Sequence, residues 1–425
     1  MEIKREKYLQ RLIDKQGNGM IKIITGLRRS GKSYLLSEIF KNYLINNGIP
    51  EDHIIYLTLD TKSNEKYLDS EVLNNYLLKH VKNNNEKYYV LLDEIQKCDD
   101  FVPVLNELAY MKNVDVYVTG SNSKMLSSDI STEFRGRGDV IHLYPLTFKE
   151  YLEASEMDKD DAWNEYVLYG GLPYTLFCKT DDEKSDYLKS LYNETYMIDL
   201  KERRKIKDEQ LMNDIMDVLS SQIGSLTNPT RLTNIINNNY KKDNSKLSKT
   251  VSNETVEKYI NYLEEAFLIS KTRRYDIKGN NYINSPYKYY YEDIGLRNSR
   301  LNFRQLDDGH IMENIIYNEL ISRRLNVDVG VVETFEKNSN DVTTRKKYEV
   351  DFIVNKGAKK YYLQSAYQLS GDKKIEQEKN SLRNIDDSFK KIIVVKDNIK
   401  TRIDNDGIVT MGLYYFLLNE NSLDE

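Results

Sequence analysis

A glycine-rich loop between an apolar stretch and an amphipathic stretch constrains this sequence more than any other feature. Residues 26–33 read GLRRSGKS and fit the pattern G-x-x-x-x-G-K-[ST]. The loop follows apolar residues 20–25, which predict a strand, and precedes apolar residues at helical spacing over 33–46. Such a loop turns backbone N–H groups toward a phosphate, and the following helix adds a dipole that favours anions. The sequence therefore predicts a phosphate-binding loop.

The residue types around this loop indicate a nucleotide bound together with Mg²⁺. Lys32 is expected to reach the β- and γ-phosphates, and Ser33 is expected to ligate the metal. Asp93 and Glu94 are the last two residues of the stretch YYVLLDE. Asp93 is the second expected ligand, and Glu94 is expected to orient the attacking water. We thus predict ATP and Mg²⁺ as ligands and hydrolysis as the reaction. The residues assigned to nucleotide binding are Gly26, Arg28, Arg29, Ser30, Gly31, Lys32, Ser33, Tyr34 and Asp93.

Two more polar segments flank predicted strands and extend the catalytic hypothesis. Ser121 and Asn122 follow the fourth strand, and one of them is expected to sense the γ-phosphate. We assign this role to Asn122. The alternative is that these residues only cap a turn. Arg135 and Arg137 precede the fifth strand and either stabilise charge on the γ-phosphate of a neighbouring copy or make surface ion pairs. Arg137 is slightly preferred. A role on a neighbouring copy implies a homo-oligomer, whose size the sequence does not set.

The first 150 residues predict an α/β fold with a parallel sheet. Five short apolar stretches alternate with helical patterns, which is typical of parallel strands covered on both faces. The predicted strands are residues 20–25, 53–59, 88–92, 114–119 and 139–143.

Length and composition limit the remaining possibilities. The 425 residues suggest two to four domains at roughly 150 residues each. With 62 basic and 67 acidic residues, the net charge of −5 is unlike that of a nucleic-acid coat protein, so a nucleic-acid site would be a local patch. Cys98 and Cys178 lack metal-ligand spacing, and no apolar run approaches the ~18 residues that span a bilayer. We expect a cytoplasmic protein with no membrane partner.

Several motifs together resemble the prokaryotic AAA-type ATPases that carry a C-terminal domain of uncharacterised function. The matching segments are GLRRSGKS, LLDEIQ (91–96), TGSNSKML (119–126), LYPLTFKEY (143–151), YGGLP (169–173), MENIIYNEL (312–320) and YEVDFIV (348–354). The resemblance implies an AAA-type core over residues 1–150 with strand order 5-1-4-3-2. It also implies a helical lid over 151–207, with the GGLP turn near the nucleotide, and a restriction-endonuclease-like domain over 301–425.

Residues 208–300 predict a winged helix-turn-helix module. Helical patterns over 211–223, 230–237 and 252–267 precede strand patterns over 268–275 and 282–291, with a polar loop over 239–249. The outward residues of the third helix are mixed and rather acidic, so Lys271, Arg273 and Arg274 in the wing are better candidates for DNA phosphates. A protein-binding winged helix is the alternative.

The last 125 residues depart from an active nuclease. By the resemblance, Glu319 is the helical acid and Asp351 the strand acid, but Gln364 stands where the second acid belongs and Ala366 where the lysine belongs. A glutamine offers no charge to a metal ion, which favours a degenerate binding or scaffolding module. A lysine from position 359, 360 or 373 is left open as a substitute, and the strand pattern ends at 412–416.

Three functions follow from these residues. The one we favour is an ATPase whose cycle repositions the winged helix and the C-terminal domain. The alternatives are a DNA-binding regulator or ATP-gated nuclease, and an ATP-loaded scaffold with slow turnover.

Overall fold

The computed structural model describes residues 3–82, 84–120, 134, 136–197, 200–201, 204–243, 249–337, 343–368 and 372–425. The chain divides into two compact units. The first comprises Met1–Leu146, Leu172–Phe177 and Glu265–Phe267, and the second comprises Thr147–Gly171, Cys178–Glu264 and Leu268–Glu425. In the described ranges, none of the helices has the length and apolar character needed to cross a membrane.

The first unit contains a five-stranded parallel sheet. Its strands are β1 (Ile21–Thr25), β2 (Ile54–Thr58), β3 (Tyr88–Asp93), β4 (Val114–Thr119) and β5 (Gly138–His142), in the order β2-β3-β4-β1-β5. Every residue of β1 and β3 is buried, as expected of strands covered on both faces. This is the order 5-1-4-3-2 viewed from the other edge, so the predicted sheet is confirmed.

Helices cover both faces of this sheet. They are α1 (Glu6–Asp14), the helical residues 32–46 taken together as α2, α3 (Ser70–His80) and α4 (Phe101–Tyr110). Side chains of α1 and α2, such as Leu12 and Phe40, pack in one core with Ile24. Side chains of α3 and α4 pack in a second core with Ile23. Because consecutive residues of a strand face opposite sides, β1 contributes to both cores.

The second unit is helical at first and ends in mixed structure. Its helices begin with α5 (Phe148–Ser155), which starts with a capping box between Thr147 and Glu150. The described residues of this unit also include α6 (Lys159–Tyr169), α7 (Asp181–Ser190), the π-helical Leu191–Met197, α8 (Glu209–Ser221), α9 (Pro229–Lys242), α10 (Asn253–Glu265), α11 (Ile294–Arg300), α12 (Asp308–Ser322), α13 (Asp372–Arg383) and α14 (Leu413–Leu418).

One eight-stranded sheet joins the hairpin after α10 to the C-terminal strands. The strands are β6 (Ile269–Asp276), β7 (Asn281–Tyr291), β8 (Asn326–Lys337), β9 (Thr343–Lys356), β10 (Lys359–Ala366), β11 (Lys390–Val395), β12 (Arg402–Ile403) and β13 (Ile408–Gly412). Their order is β12-β13-β11-β10-β9-β8-β6-β7, and β6 pairs in parallel with β8. The domain boundaries at residues 150, 207 and 300 stay predictions. The eight-stranded sheet contains strands from both sides of residue 300.

Two predicted elements were wrong. The segment 412–416 is not a strand, because β13 ends at Gly412 and the apolar run LYYFLL forms α14. Periodicity does not distinguish a short buried helix from a buried strand. The polar loop predicted over residues 239–249 was wrong at its start, because α9 runs to Lys242 and Tyr240 is buried.

A close backbone approach within the second unit explains two glycine motifs. The Gly171 N–H donates to Asp293 Oδ2 at 2.8 Å, and the Leu296 N–H donates to the other oxygen at 3.0 Å. A Cβ on Gly295 would lie 2.1 Å from the Tyr169 carbonyl oxygen, and one on Gly170 would lie 2.4 Å from Asp293 Oδ1. The turn YGGLP and the start of α11 therefore need glycine at these positions to pack together.

Candidate functional site: the phosphate-binding loop

The loop after β1 has the backbone conformation that its glycines permit. Gly26 has φ +135° and Gly31 has φ +98°, both in the region that favours glycine. A Cβ on Gly26 would lie 2.2 Å from the Leu143 carbonyl oxygen, so only glycine lets the chain pass there. A Cβ on Gly31 would lie 3.9 Å from Pro173 Cγ, which places the GGLP proline beside the loop.

The polar side chains of this loop suit an anionic ligand. Lys32 is buried, and its Nζ donates to the carbonyl oxygens of Gly26 at 3.0 Å and Leu27 at 2.9 Å. Ser30 is also buried, and its hydroxyl has no hydrogen-bond partner within the described ranges. A buried hydroxyl without a partner is costly, so this arrangement fits a group that carries phosphate oxygens. Arg28 is half-buried, while Arg29 and Tyr34 are exposed.

Three hydroxyl groups surround the carboxylate of Asp93 at the end of β3. Ser33 Oγ donates to Oδ1 at 3.0 Å, and Thr119 Oγ1 donates to the same oxygen. Thr58 Oγ1 lies 3.3 Å from Oδ2 but is closer to Asp60 Oδ1, at 2.7 Å. Burial raises the pKa of Asp93, while the hydrogen bonds from Thr119 and Ser33 act to lower it. The structure thus brings together Ser33 and Asp93, the two residues predicted to bind Mg²⁺.

This donor set fits magnesium. Mg²⁺ prefers oxygen ligands, keeps several waters, and is commonly held by one or two protein oxygens plus substrate phosphates. Within the part of the chain that the structure describes, no group of three or more His, Cys, Asp or Glu side chains is arranged to hold a metal ion. A magnesium ion here would therefore take Ser33 and Asp93 together with nucleotide and water oxygens.

Glu94 follows Asp93 in a left-handed backbone conformation. Its φ is +55°, which is uncommon for a residue other than glycine. Its N–H donates to Thr119 Oγ1 at 2.9 Å, and its carboxylate accepts a hydrogen bond from Gln96 Nε2. These contacts hold the half-buried Glu94, which is predicted to orient the attacking water, at the same end of the sheet as the phosphate-binding loop.

Arg137 lies away from the loop of its own chain. Its carbonyl oxygen accepts the Ile21 N–H at 2.8 Å, which puts it at the amino end of β1, whereas the loop follows the carboxyl end. Its guanidinium lies 4.0 Å from the centre of the Tyr110 ring. Its action on a neighbouring copy stays a prediction. Ser121, Asn122 and Arg135 lie outside the described residues.

Two hydroxyls of this site were not predicted from the sequence. Thr58 and Thr119 end β2 and β4, which flank β3 in the sheet, and both lie beside the Asp93 carboxylate. Their position at the carboxyl ends of neighbouring parallel strands was the available signal. Thr119 directly precedes the segment to which the sequence assigned the polar role.

The C-terminal acids form a different cluster from the one predicted. Lys288 Nζ lies 2.7 Å from Glu313 Oε1, 2.8 Å from Glu349 Oε1 and 3.3 Å from Asp351 Oδ1, and its side chain is 3% exposed. Glu319 instead forms an ion pair with Arg323 at 2.7 Å. The helical acid beside Asp351 is therefore Glu313, almost two turns earlier on α12.

The other residues of the expected nuclease motif make structural contacts. Gln364 Oε1 accepts the Asp351 N–H at 3.4 Å, and Ala366 is buried in the core. Lys359 pairs with Asp424, and Lys360 lies 4.7 Å from the Phe389 ring centre. The lysine of this cluster is Lys288 from β7, which the sequence analysis did not single out.

Comparison with known proteins assigns the first unit. Residues 18–152 match the model of the AAA domain, and residues 160–307 match a domain of unknown function (DUF8612). An uncharacterized protein of Haemophilus influenzae is 31% identical over 397 residues, which cover 92% of this chain and 93% of that protein. This chain belongs to that family of AAA-domain proteins. Its core is a P-loop AAA domain, as the loop and the sheet order predict.

The chain is also similar to more distant proteins. An uncharacterized protein of Methanocaldococcus jannaschii is 28% identical, over 86% of this chain and 79% of that protein. The structure of Cdc6p from Pyrobaculum aerophilum aligns with 73% of this chain and 94% of its own at 11% identity and a TM-score of 0.29. The Aeropyrum pernix ORC1 protein in complex with DNA aligns with 76% and 95%, at 11% identity and a TM-score of 0.30. Neither structural likeness is close enough to bear on function.

Proposed function

We propose that the AAA domain binds ATP with Mg²⁺ and hydrolyses it, and that this cycle switches the conformation of the rest of the chain. The observation that carries the proposal is the 3.0 Å hydrogen bond between Ser33 Oγ and Asp93 Oδ1, with Glu94 next in the chain. It joins the phosphate-binding loop to the acid of β3, the two parts that a P-loop hydrolase needs. The AAA family match supports the same reaction.

Each side chain has a distinct role in this proposal. The loop backbone and Lys32 bind the phosphates, and Ser33 and Asp93 hold the metal, which offsets phosphate charge when bound. Glu94 orients the attacking water and accepts its proton. The positions of these groups rest on the sheet, since Ser33 starts α2 and Asp93 ends β3.

The test is steady-state hydrolysis of ATP with Mg²⁺, together with a binding measurement using a fluorescent ATP analogue. Lys32→Ala should abolish both binding and turnover. Lys41→Ala is its matched control, because Lys41 lies farther along α2 and its half-buried side chain pairs with the exposed Glu51 at 3.2 Å. Glu94→Gln should keep binding and lower kcat about 100-fold or more, whereas Glu107→Gln, at an exposed position of α4, should leave kcat unchanged. Turnover retained by Lys32→Ala would reject the proposal.

A second candidate, nucleic-acid binding, is favoured by the hairpin of β6 and β7. Arg273 lies 3.9 Å from the Tyr282 ring centre, and Lys271 lies 5.1 Å from that of Tyr287. Cations paired with accessible aromatic rings suit a phosphate backbone and stacked bases, and Tyr282 is 46% exposed. The three helices α8 to α10 before this hairpin follow the order of a winged helix.

This candidate is tested by measuring hydrolysis with and without single- and double-stranded DNA. We expect DNA to stimulate turnover in the wild type and to do so poorly in Arg273→Ala. The matched control is Arg345→Ala, which removes an exposed arginine that pairs with Glu333 on β8. Turnover that is indifferent to DNA would instead favour a protein partner for the second unit.

A further inference from the structure

The hydroxyl of Thr119 connects the two acidic residues of the proposed site. Thr119 Oγ1 donates to Asp93 Oδ1 and accepts the Glu94 N–H at 2.9 Å. A hydroxyl has one proton, so the donation to the carboxylate leaves its lone pairs for the N–H. Both bonds are thereby satisfied at once, and Thr119 is 0% exposed, so water does not compete for them.

The hydrogen bond from the Glu94 N–H to Thr119 holds Glu94 in a backbone conformation that is otherwise unfavourable. A left-handed conformation is unfavourable at a residue with a Cβ, so neighbouring contacts must hold it. At Glu94 these contacts are the bond to Thr119, the Lys97 N–H donating to the Glu94 carbonyl at 3.0 Å, and the side-chain bond from Gln96. Of these three partners, only Thr119 also makes a hydrogen bond to Asp93, the proposed metal ligand.

We propose that Thr119 is a positioning residue for ATP hydrolysis, fixing the peptide of Glu94 relative to Asp93 so that the Glu94 carboxylate meets the attacking water. This inference rests on the proposed ATPase function and adds a residue to it. Thr119 acts through Glu94 and is not itself a group that touches the phosphates. Misplacement of a catalytic group by about 1 Å can slow a reaction by about 100-fold.

The experiment compares Thr119→Val with Thr119→Ser in the full chain. Valine has nearly the same shape but no hydroxyl, while serine keeps the hydroxyl and loses a methyl group. We expect the valine variant to lose kcat by about 10- to 100-fold, with KM for ATP changed less than about threefold. The serine variant should keep kcat within about threefold of wild type.

The controls separate this inference from folding and from the proposed function. Thr233→Val removes another buried threonine hydroxyl, one that donates to the Pro229 carbonyl at 2.7 Å on α9, and should leave kcat unchanged. Wild-type kcat in Thr119→Val, or equal losses in the serine and valine variants, would overturn the role of the bridge while Glu94→Gln remained inactive. Absence of turnover in the wild type would overturn the proposed function and this inference together.

Discussion

Single residues decide whether the loop works as a magnesium-nucleotide site, and Asp93 is central among them. Its carboxylate accepts from Ser33 in the loop and from Thr119 at the end of β4, a strand beside β3. Burial raises the pKa of Asp93, and these donors favour its charged form. A bound metal would favour that charged form further.

Removing one ligand should therefore shift the metal requirement more than the affinity for the nucleotide. In Ser33→Ala, we expect the Mg²⁺ concentration for half-maximal hydrolysis to rise about tenfold, the usual scale for a lost metal contact. Nucleotide binding without metal should change little. The control is Ser37→Ala, one turn along α2, where Ser37 Oγ donates to Glu38 at 3.4 Å. An unchanged Mg²⁺ requirement in Ser33→Ala would contradict the assignment of this ligand.

The sequence predicted the loop residues better than their partners. The pattern G-x-x-x-x-G-K-[ST] depends on local geometry, so Lys32 and Ser33 could be assigned from spacing alone. The contacts of Thr119 depend on strand order and on the direction of a hydroxyl, which no local pattern encodes. Glu319 was assigned in place of Glu313 because the relevant face of α12 depends on the rotation of that helix against the sheet. Both acids are buried, so burial did not separate them.

At the scale of elements, the approach of α11 to the YGGLP turn carries the most specific packing requirement. Asp293 caps α11 and holds the Gly171 N–H, and Asn298 Nδ2 donates to the carbonyl oxygens of Val167 at 2.8 Å and Leu168 at 3.0 Å. Polar side chains of one helix thus satisfy the free carbonyl end of α6. The contact leaves no room for a side chain at Gly295.

Gly295→Ala should destabilise the second unit by about 1–3 kcal/mol or more, because the added Cβ would meet backbone atoms that do not move easily. Gly309→Ala is the matched control, since its Cβ would approach nothing nearer than Asp307 Oδ1 at 3.6 Å. Trp163, the single tryptophan, is buried in α6 and reports on this unit in urea unfolding. Equal unfolding midpoints for the two variants would show that the backbone approach is looser than described.

At the scale of the whole molecule, contacts between residues far apart in the chain could not be predicted from the sequence. The alternation of strands and helices predicted a parallel first sheet, and the strand order of that sheet was implied by the family resemblance alone. The cluster around Lys288 joins β7, α12 and β9, residues separated by 25 and 63 positions in the chain. No periodicity in any one of these segments indicates that an ammonium group lies among three carboxylates.

The charge imbalance in that cluster gives it a pH dependence. Burial, together with repulsion from Glu313 and Glu349, raises the pKa of Asp351 to about 7 against the opposing effect of Lys288. Burial also acts on Glu313, but the ammonium of Lys288 lowers the pKa of that carboxyl overall. One buried cation thus keeps Glu313 ionised near neutral pH, and Asp351 is the carboxyl that takes up a proton.

Asp351 should therefore make the second unit less stable as the pH rises from about 4 to about 7. In that window the folded state holds a proton that the unfolded chain has released, so the free energy of unfolding falls with increasing pH. Asp351→Asn removes this titration, and its stability relative to wild type should improve by roughly 2 kcal/mol between pH 5 and pH 8. Urea unfolding followed by Trp163 fluorescence at each pH measures the difference.

Asp386→Asn, at an exposed carboxylate that pairs with Lys278 at 3.0 Å, should show no such trend. A difference between Asp351→Asn and wild type that stays constant with pH would mean that Asp351 is ionised throughout, with Lys288 offsetting all three carboxylates.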